Sequence, residues 1–305
     1  MKIFSVLIAL LLPYFATLSQ VKEPARPRIT GIEGVTLSSD DLQNTQQFFR
    51  HGLGLQECQE PTELLTELCF ASGPNQTIRA QSSCPAEGAC ETNYIFSVTF
   101  ETDDAAALRS FLKKSGVKVS ELAGYQRPWK KFTAIDPEGH RIGFFQGQAD
   151  ANRQSAPNRV GTRMIHAGLV VHDRAAEDRF YKDVLGFHLY WQGGRTDDET
   201  SWVNMQVPDG TDWIEYMLNA PANADHHTLG GMNHIALGVP DIHTAEAQLR
   251  KNGWTGTDQP KIGRGGKWQL NLYDPDDTRI ELMEFTPVQK PCCSEYTGPH
   301  PGPNR

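Results

Sequence analysis

The sequence lacks the clustered positive charge that nucleic acids and anionic membrane surfaces require. Its 29 lysines and arginines are outnumbered by 37 aspartates and glutamates, which gives a formal net charge of −8. Binding to phosphate polymers depends on basic patches, and helices that lie on membranes need a basic amphipathic face. We therefore expect neither nucleic acid nor a membrane to be a partner of the mature chain.

Long hydrophobic stretches are also scarce, and the chain has one, at its start. Lys2 is followed by an apolar segment at 3–12, and then by Pro13 and small residues. The segment is too short for a good membrane-spanning helix, and its layout is typical of a secretory signal peptide. The sequence therefore predicts a signal peptide over 1–20 and a secreted or periplasmic mature protein, with an uncleaved anchor as the alternative.

Cysteine is uncommon, and none of its six occurrences forms a CxxC pair. Zinc binding by thiolates and thioredoxin-like redox chemistry both use that spacing, so both are disfavoured. An even number of cysteines in an exported chain is compatible with disulfides. Cys84 and Cys90, which flank a short loop-like segment, are the easiest pair to join, and the pairing of the others stays open.

The chain does contain an internal repeat. GVTLSSDDLQNTQQFFRHGLGL (34–55) aligns without gaps on HAGLVVHDRAAEDRFYKDVLGF (166–187). Both segments begin as a strand, pass through acidic residues and enter an amphipathic helix that stops at a glycine. SVTFETDDAAALRSFLKKSGV (97–117) matches HIALGVPDIHTAEAQLRKNGW (234–254) in the same order. A period of this kind indicates a fold built from repeated units.

A second feature of the repeat is a strand, a turn at Asp-Pro and another strand, found in AIDPEGHRIGFF and again in LYDPDDTRIELM. Each half of the chain is therefore a pair of units that read strand, helix and several strands. The sequence predicts an α+β fold with two tandem domains, 28–148 and 160–288, joined by a polar linker. Residues 289–305 are rich in proline and glycine, and we expect them to form a surface tail.

The motifs FYKDVLGF, NHIALGV and DPDDTRIELMEF are similar to those of the vicinal oxygen chelate superfamily, and the resemblance covers nearly all of 28–288. That superfamily includes glyoxalase I, fosfomycin-resistance proteins, methylmalonyl-CoA epimerase and extradiol dioxygenases. The resemblance implies four βαβββ units in two tandem domains, each pair of units curling into an open sheet. It also implies a divalent metal ion on the concave face.

Comparison of the two halves shows which one can bind the metal. Wherever the C-terminal half offers an imidazole or a carboxylate, the N-terminal half has a residue that is a poor ligand. The pairs are His166 with Gly34, His234 with Ser97, Glu281 with Gly143 and, near the matching position, Glu215 with Arg79. We therefore expect a degenerate, metal-free domain at 28–148 and one divalent ion (Zn, Ni, Mn, Co or Fe) at 160–288.

The spacing of these four residues favours one branch of the superfamily. His166 and Glu215 are 49 residues apart, Glu215 and His234 are 19 apart, and His234 and Glu281 are 47 apart. This order looks like glyoxalase I, in which the last glutamate also acts as the catalytic base. The resemblance implies a lyase or isomerase in which Glu281 removes a proton beside a carbonyl group held at the metal.

Some features of the chain differ from glyoxalase I and keep other reactions open. The extra metal-free half is unusual for that family, and its thiol cosubstrate is chiefly cytoplasmic, whereas this chain carries an export signal. We therefore expect a small oxygenated substrate of another kind. Lys267 and Arg195, beside glycine-rich stretches, are candidates to contact an anionic substrate, although the sequence does not distinguish them from ordinary surface charges.

The first alternative is a ring-cleaving extradiol dioxygenase, which shares the four-unit build and binds Fe(II) through two histidines and a carboxylate. Such enzymes carry an acid–base histidine where this chain reads TDWIEY, and a tyrosine where it has Asn271. The second alternative is a non-catalytic binding protein of the bleomycin-resistance type. That class generally lacks metal ligands, so the complete set of four argues against it.

Overall fold

The computed structural model describes residues 26–58, 67–82, 94–124, 127–147 and 156–304. The expected signal peptide at 1–20 and the expected Cys84–Cys90 pair lie outside these ranges, and both stay predictions. Within the described ranges, no helix has the length and apolar character needed to cross a bilayer.

The N-terminal half forms a sheet of seven strands in the described residues. The strands are β1 (Ile29–Ser39), β2 (Gln56–Glu57), β3 (Glu67–Gly73), β4 (Gln76–Ser82), β5 (Ile95–Thr102), β6 (Lys130–Ile135) and β7 (Arg141–Gln146). Their order across the sheet is β2-β3-β4-β1-β5-β7-β6. The central pair, β1 and β5, is antiparallel, and each of the two also pairs with a parallel neighbour, β4 and β7 respectively.

The C-terminal half forms a second sheet with the same plan and eight strands. They are β8 (Arg163–Val170), β9 (His188–Gly193), β10 (Trp202–Gln206), β11 (Trp213–Met217), β12 (His234–Val239), β13 (Lys261–Ile262), β14 (Trp268–Tyr273) and β15 (Arg279–Glu284). Their order is β13-β14-β15-β12-β8-β11-β10-β9, so β8 and β12 lie at the centre. Every residue of these two strands is buried, as expected for strands with neighbours on both sides.

Five α-helices lie in the described ranges, and each begins after an aspartate whose carboxylate accepts hydrogen bonds from the first turn. They are α1 (Leu42–Gln47), α2 (Ala105–Lys114), α3 (Arg174–Asp178), α4 (His226–Met232) and α5 (Ile242–Lys251). Such caps satisfy amide groups that have no partner inside the helix. The chain continues from α1 and from α3 into short π-helical turns at Phe48–Gly52 and Arg179–Val184.

The predicted α+β class with two curled sheets is confirmed, and three of the four units read βαβββ as expected. The second unit departs from the pattern, because the segment after α2 makes two isolated bridges, at Val119 and Ala123, in place of a strand. Gly124, in the left-handed region at φ +81°, and Pro128, which has no amide hydrogen, interrupt the backbone pairing there.

The two halves meet through matching buried contacts. Gln76, at the start of β4, donates to the carbonyls of Ile32 and Met164 at 2.9 Å each and accepts from the amide of Met164 at 2.8 Å. Asp212, at the equivalent place before β11, accepts from the amide of Ile32 at 2.9 Å and pairs with Arg163. Because Ile32 and Met164 are themselves equivalent in the repeat, the junction is approximately two-fold symmetric.

The C-terminal tail lies on the surface, as expected, and is hydrogen-bonded to the edge strand β9. Thr297 donates its amide to the carbonyl of Tyr190 on β9 at 3.0 Å, and the Ser294 hydroxyl donates to the carbonyl of Gln192 at 2.9 Å. Composition gave no sign of this packing, because a segment rich in proline and glycine has no periodic apolar pattern to indicate a buried side.

Two disulfides join the described cysteines. Cys58 pairs with Cys69, which ties β2 to β3, and the adjacent residues Cys292 and Cys293 are bonded to each other in the tail. The sequence alone could not choose these pairs, because partners are set by proximity in the fold.

Candidate metal centre

Strand alternation places the two glutamates on the concave face of the second sheet. In β11, Ile214 and Tyr216 point into the main core, so Glu215 between them points the opposite way. In β15, Ile280 and Leu282 occupy the core and Glu281 faces the cavity. Both carboxylates therefore reach the same cavity from strands that flank the central pair.

The two histidines come from the central strands, where local irregularities make room for their rings. In β8, the pairing with β12 skips one residue between Met164 and His166, a bulge that re-aims the side chains beside it. His234 lies opposite Gly168 on β8. A Cβ atom at Gly168 would lie 2.0 Å from Cε1 of His234, so glycine is required there for the imidazole to fit.

The ligand atoms of His166, Glu215 and His234 all lie within 4.8 Å of one another, and Glu281 lies beside both imidazoles. Nε2 of His234 lies 3.0 Å from Nε2 of His166, 3.1 Å from Oε2 of Glu215 and 3.6 Å from Oε2 of Glu281. Nε2 of His166 lies 3.6 Å from Oε2 of Glu281 and 3.9 Å from Oε2 of Glu215. The structure thus brings together all four residues that the sequence singled out.

These separations fit a divalent ion. Metal–ligand bonds of about 2.1 Å hold neighbouring ligand atoms about 3.0 Å apart at right angles and about 3.4 Å apart at the tetrahedral angle. The observed distances of 3.0 to 3.9 Å bracket those values. Two imidazoles and two carboxylates form a donor set suited to Zn, Ni, Co, Mn or Fe(II).

The protonation states also suit metal binding. Burial and the positive charge of Arg279 lower the pKa of His234, which favours the neutral imidazole that a metal needs. Burial alone would raise the pKa of Glu281, but its contact with His166 and the charge of Arg279 outweigh burial and lower that pKa to about 2. The pKa of Glu215 is lowered too, because its hydrogen bond to His234 and the charge of His166 outweigh burial.

Surrounding groups orient these side chains. Nδ1 of His234 lies 2.9 Å from the carbonyl of Met232, and an N–H donated there leaves the Nε2 lone pair facing the cluster. Trp213 stacks on the His166 ring with centroids 4.6 Å apart. Asn204, with its amide oriented to suit its neighbours, donates to Oε1 of Glu215 at 2.9 Å and accepts from the Trp213 indole at 3.1 Å. Trp213 therefore supports one ligand by stacking and another through Asn204, a connection that sequence reasoning did not find.

The cluster lies in a cavity of about 740 Å³ that also contains a buried lysine. Lys267 is 2% exposed, and its Nζ lies 4.9 Å from the ring centre of Trp213, 5.3 Å from that of Tyr296 and 5.5 Å from that of Tyr190. Burial lowers the pKa of Lys267 to about 7, although the charge of Glu281 opposes the shift. Of the two basic residues that the sequence offered for an anionic substrate, Lys267 lines the cavity and Arg195 is exposed outside it.

The N-terminal half has a cavity of the same size at the equivalent place, and its wall supports the alignment of the repeat. Arg79, Ser97 and Gly143, the expected counterparts of three of the four residues, all line it. Ser97 pairs with Arg141 as His234 pairs with Arg279, so the registers of the two sheets agree. These three residues offer neither an imidazole nor a carboxylate, so this cavity does not repeat the four-residue arrangement of the C-terminal half.

Comparison with known proteins gives one family match. The model of the Glyoxalase/Bleomycin resistance protein/Dioxygenase superfamily matches residues 163–282, which contain all four converging side chains.

Curated relatives align over about two fifths of the chain. A lactoylglutathione lyase from Haemophilus influenzae is 28% identical over 124 residues, which make up 40% of this chain and 92% of that protein. A probable chloroplastic lactoylglutathione lyase from Arabidopsis thaliana is 26% identical over 135 residues, or 43% of this chain, and the chain spans only 38% of the plant protein.

Solved structures resemble nearly the whole chain at lower identity. A variant of homoprotocatechuate 2,3-dioxygenase from B. fuscum superposes with a TM-score of 0.65 and 18% identity, covering 90% of this chain and 74% of that one. The Mn(II)-bound glyoxalase from Novosphingobium aromaticivorans gives a TM-score of 0.63 and 20% identity, covering 85% and 83%. At these identities the likeness establishes the fold. The family match is confined to residues 163–282, which resemble the Glyoxalase/Bleomycin resistance protein/Dioxygenase superfamily.

Proposed function

We propose that the protein is a divalent-metal-dependent lyase or isomerase of the glyoxalase type that acts on a small, oxygenated, anionic substrate. The observation that carries the proposal is that two imidazole nitrogens lie 3.0 Å apart and that each lies within 3.9 Å of both carboxylates. His166, Glu215, His234 and Glu281 would hold the ion. A bound divalent cation would supply Lewis-acid stabilisation of negative charge that develops on a substrate oxygen.

Glu281 is the proposed base. Its low pKa keeps it ionised at neutral pH, so the carboxylate can accept a proton from a carbon beside a carbonyl group and return it to the neighbouring carbon. Its side chain is 4% exposed, so the carboxylate is held in a fixed position beside the imidazoles. A carboxylate with so low a pKa is a weak base, so the C–H bond has to be made more acidic for the step to proceed.

The charge of the cavity supports an anionic substrate. Arg279 and Lys267 both line it, and the aromatic faces of Trp213 and Tyr296 leave room for an apolar part of the substrate. The lactoylglutathione lyase relatives favour a 2-oxoaldehyde adduct of a thiol as the first substrate to test. Export to a secreted or periplasmic location remains part of the proposal and favours other oxygenated anions as well.

The test compares two isosteric variants, Glu215→Gln and Glu281→Gln. If Glu215 serves as a ligand, its amide variant should bind zinc at least tenfold more weakly, because a neutral amide gives less charge to the cation. Glu281→Gln should retain part of its metal but lose proton transfer, so that turnover falls far more than affinity. Elemental analysis reports metal content, and deuterium incorporation in D₂O beside the carbonyl of the methylglyoxal–glutathione adduct reports proton transfer.

Three results would contradict the proposal in different ways. Purified protein that binds no divalent ion would favour a non-catalytic binding protein. Oxygen uptake with a catechol in the presence of Fe(II), unaffected by Glu215→Gln, would favour the dioxygenase alternative. Deuterium exchange that survives in Glu281→Gln would assign the base to another residue.

A further inference from the structure

A second group of potential metal ligands lies at the junction of the two halves, and its residues do not overlap with the cavity described above. Asp136 follows β6, His140 precedes β7, and Glu177 belongs to α3 of the other half. Each of the three residues offers one ligand atom, and these atoms all lie within 4.8 Å of one another. Asp136 is 4% exposed and Glu177 is fully buried.

Hydrogen bonding at this junction leaves one carboxylate oxygen unsatisfied. Oδ2 of Asp136 lies 2.8 Å from Nδ1 of His140 and accepts from the Tyr181 hydroxyl at 3.2 Å. Oε1 of Glu177 accepts from the amide of Glu138 at 3.0 Å. Oε2 of Glu177 is buried and has no hydrogen-bond partner among the residues that the structure describes. Leaving a buried carboxylate oxygen unpaired is costly, and a bound cation would remove that cost.

The opposite junction of the pseudo-symmetric pair provides an internal comparison. In the repeat, Thr45 takes the place of Glu177, Asp274 that of Asp136 and Thr278 that of His140. The Thr45 hydroxyl there lies 2.8 Å from that of Ser39. The same packing of helix against turn is therefore possible without a second carboxylate or an imidazole. Among the described residues, Oδ2 of Asp274 is also buried without a hydrogen-bond partner there, so the two junctions differ in His140 and Glu177 and not in the unpaired oxygen itself. The fold does not require His140 and Glu177, which points to a separate role for them.

We propose that Asp136, His140 and Glu177 form a second metal site, which takes a divalent ion with mixed nitrogen and oxygen preference, of the Zn²⁺ type. Magnesium and calcium prefer all-oxygen sites, so the imidazole selects against them. Three protein ligands with water in the remaining position is a common zinc arrangement. Oδ2 of Asp136 and Nδ1 of His140 lie 2.8 Å apart, close to the separation of about 3.0 Å between neighbouring ligand atoms of one ion.

The charge of the cluster agrees with this assignment. Burial and the nearby charge of Asp136 raise the pKa of Glu177 to about 8, so the junction does not readily accommodate two carboxylates without a compensating positive charge. A divalent ion would replace the proton and would connect α3 of one half to the β6–β7 turn of the other. Such an ion would link two halves that are separate sheets and would keep one coordination position open to water.

The test is the zinc stoichiometry of the full chain after equilibrium dialysis, measured by elemental analysis. The wild-type protein should bind two ions, Glu177→Gln one, His234→Ala one and the double variant none. Asp274→Asn, the matched control at the opposite junction, should bind two. His140→Asn provides a second variant at a half-exposed position, with one ion expected, in case Glu177→Gln does not fold.

A thermal measurement distinguishes the two sites. Zinc should raise the Tm of His234→Ala and leave that of the His234→Ala/Glu177→Gln double variant unchanged. A wild-type protein with one ion that Glu177→Gln abolishes would support the junction site and argue against the cavity site. Equal zinc content in wild type, Glu177→Gln and His140→Asn would overturn the proposal.

Discussion

Replacement of Lys267 by methionine should stabilise the protein at neutral and acidic pH. The ammonium group is 2% exposed, and burial lowers its pKa from 10.5 to about 7. A shift of that size corresponds to about 5 kcal/mol of unfavourable free energy for the charged form. Attraction of the ammonium group to the faces of three aromatic rings offsets about 2 kcal/mol of this cost. Lys267→Met should therefore raise the free energy of unfolding by about 3 kcal/mol. Methionine matches the length of the stem and adapts to irregular packing.

The gain should depend on pH in a defined direction. Because the folded-state pKa lies below that of the unfolded chain, the unfolded chain takes up a proton between pH 10.5 and 7 that the folded protein does not. Wild-type stability therefore decreases as pH falls through that window and is constant below it with respect to this group. The advantage of the methionine variant should be fully present at pH 6 and should shrink as pH rises from about 7 towards 10.

Urea unfolding, followed by tryptophan fluorescence from pH 6 to pH 10 at equal metal content, measures this difference. Lys251→Met is the matched control, because it removes the same group from an exposed position on α5. A methionine variant less stable than wild type at pH 6, or a stability difference that does not change with pH, would refute the reasoning. If Lys267 also contacts an anionic substrate, the stabilised variant should bind that substrate more weakly.

Two further predictions follow from other parts of the structure. Gly168→Ala places a methyl group 2.0 Å from Cε1 of His234, so zinc affinity measured by chelator competition should fall at least tenfold. Gly231→Ala is the control, because its Cβ would lie 3.5 Å from the Tyr273 hydroxyl and should leave zinc affinity intact. Cys58→Ser opens a disulfide between residues 11 apart and should lower the free energy of unfolding by about 3 kcal/mol, measured against wild type with and without reductant. An unchanged free energy in that variant would mean that the pairing of β2 with β3 holds the loop by itself.

The four candidate ligands could be found from the sequence because the repeat supplied a comparison for each position. A histidine or glutamate in a strand is ambiguous alone, but the same strand in the other half carried glycine, serine or arginine. Strand alternation then fixed the direction of each side chain, since Glu215 and Glu281 each lie between two apolar residues. The helix starts were equally readable, because an aspartate precedes each described helix.

Other features depended on contacts that no local pattern encodes. Lys267 lies in a turn before β14, where its inward direction is set by Gly266 at φ +80° and by Tyr296 from the distant tail. Glu177 looks like a surface residue of a helix, yet it is fully buried and accepts a hydrogen bond from Glu138 of the other half. The burial of both residues depends on tertiary packing, which neither periodicity nor composition indicates.

The tail also covers part of a strand edge that could otherwise pair with another chain. Strand β9 is at the outer edge of its sheet, and an uncovered edge presents free amide and carbonyl groups that can pair with another chain. Thr297 and Ser294 occupy such groups on Tyr190 and Gln192. Removal of residues 289–305 would thus do more than open the cavity at Tyr296. It would expose a strand edge that can act as a template for aggregation, so a truncated chain would lose solubility as well as a cavity wall.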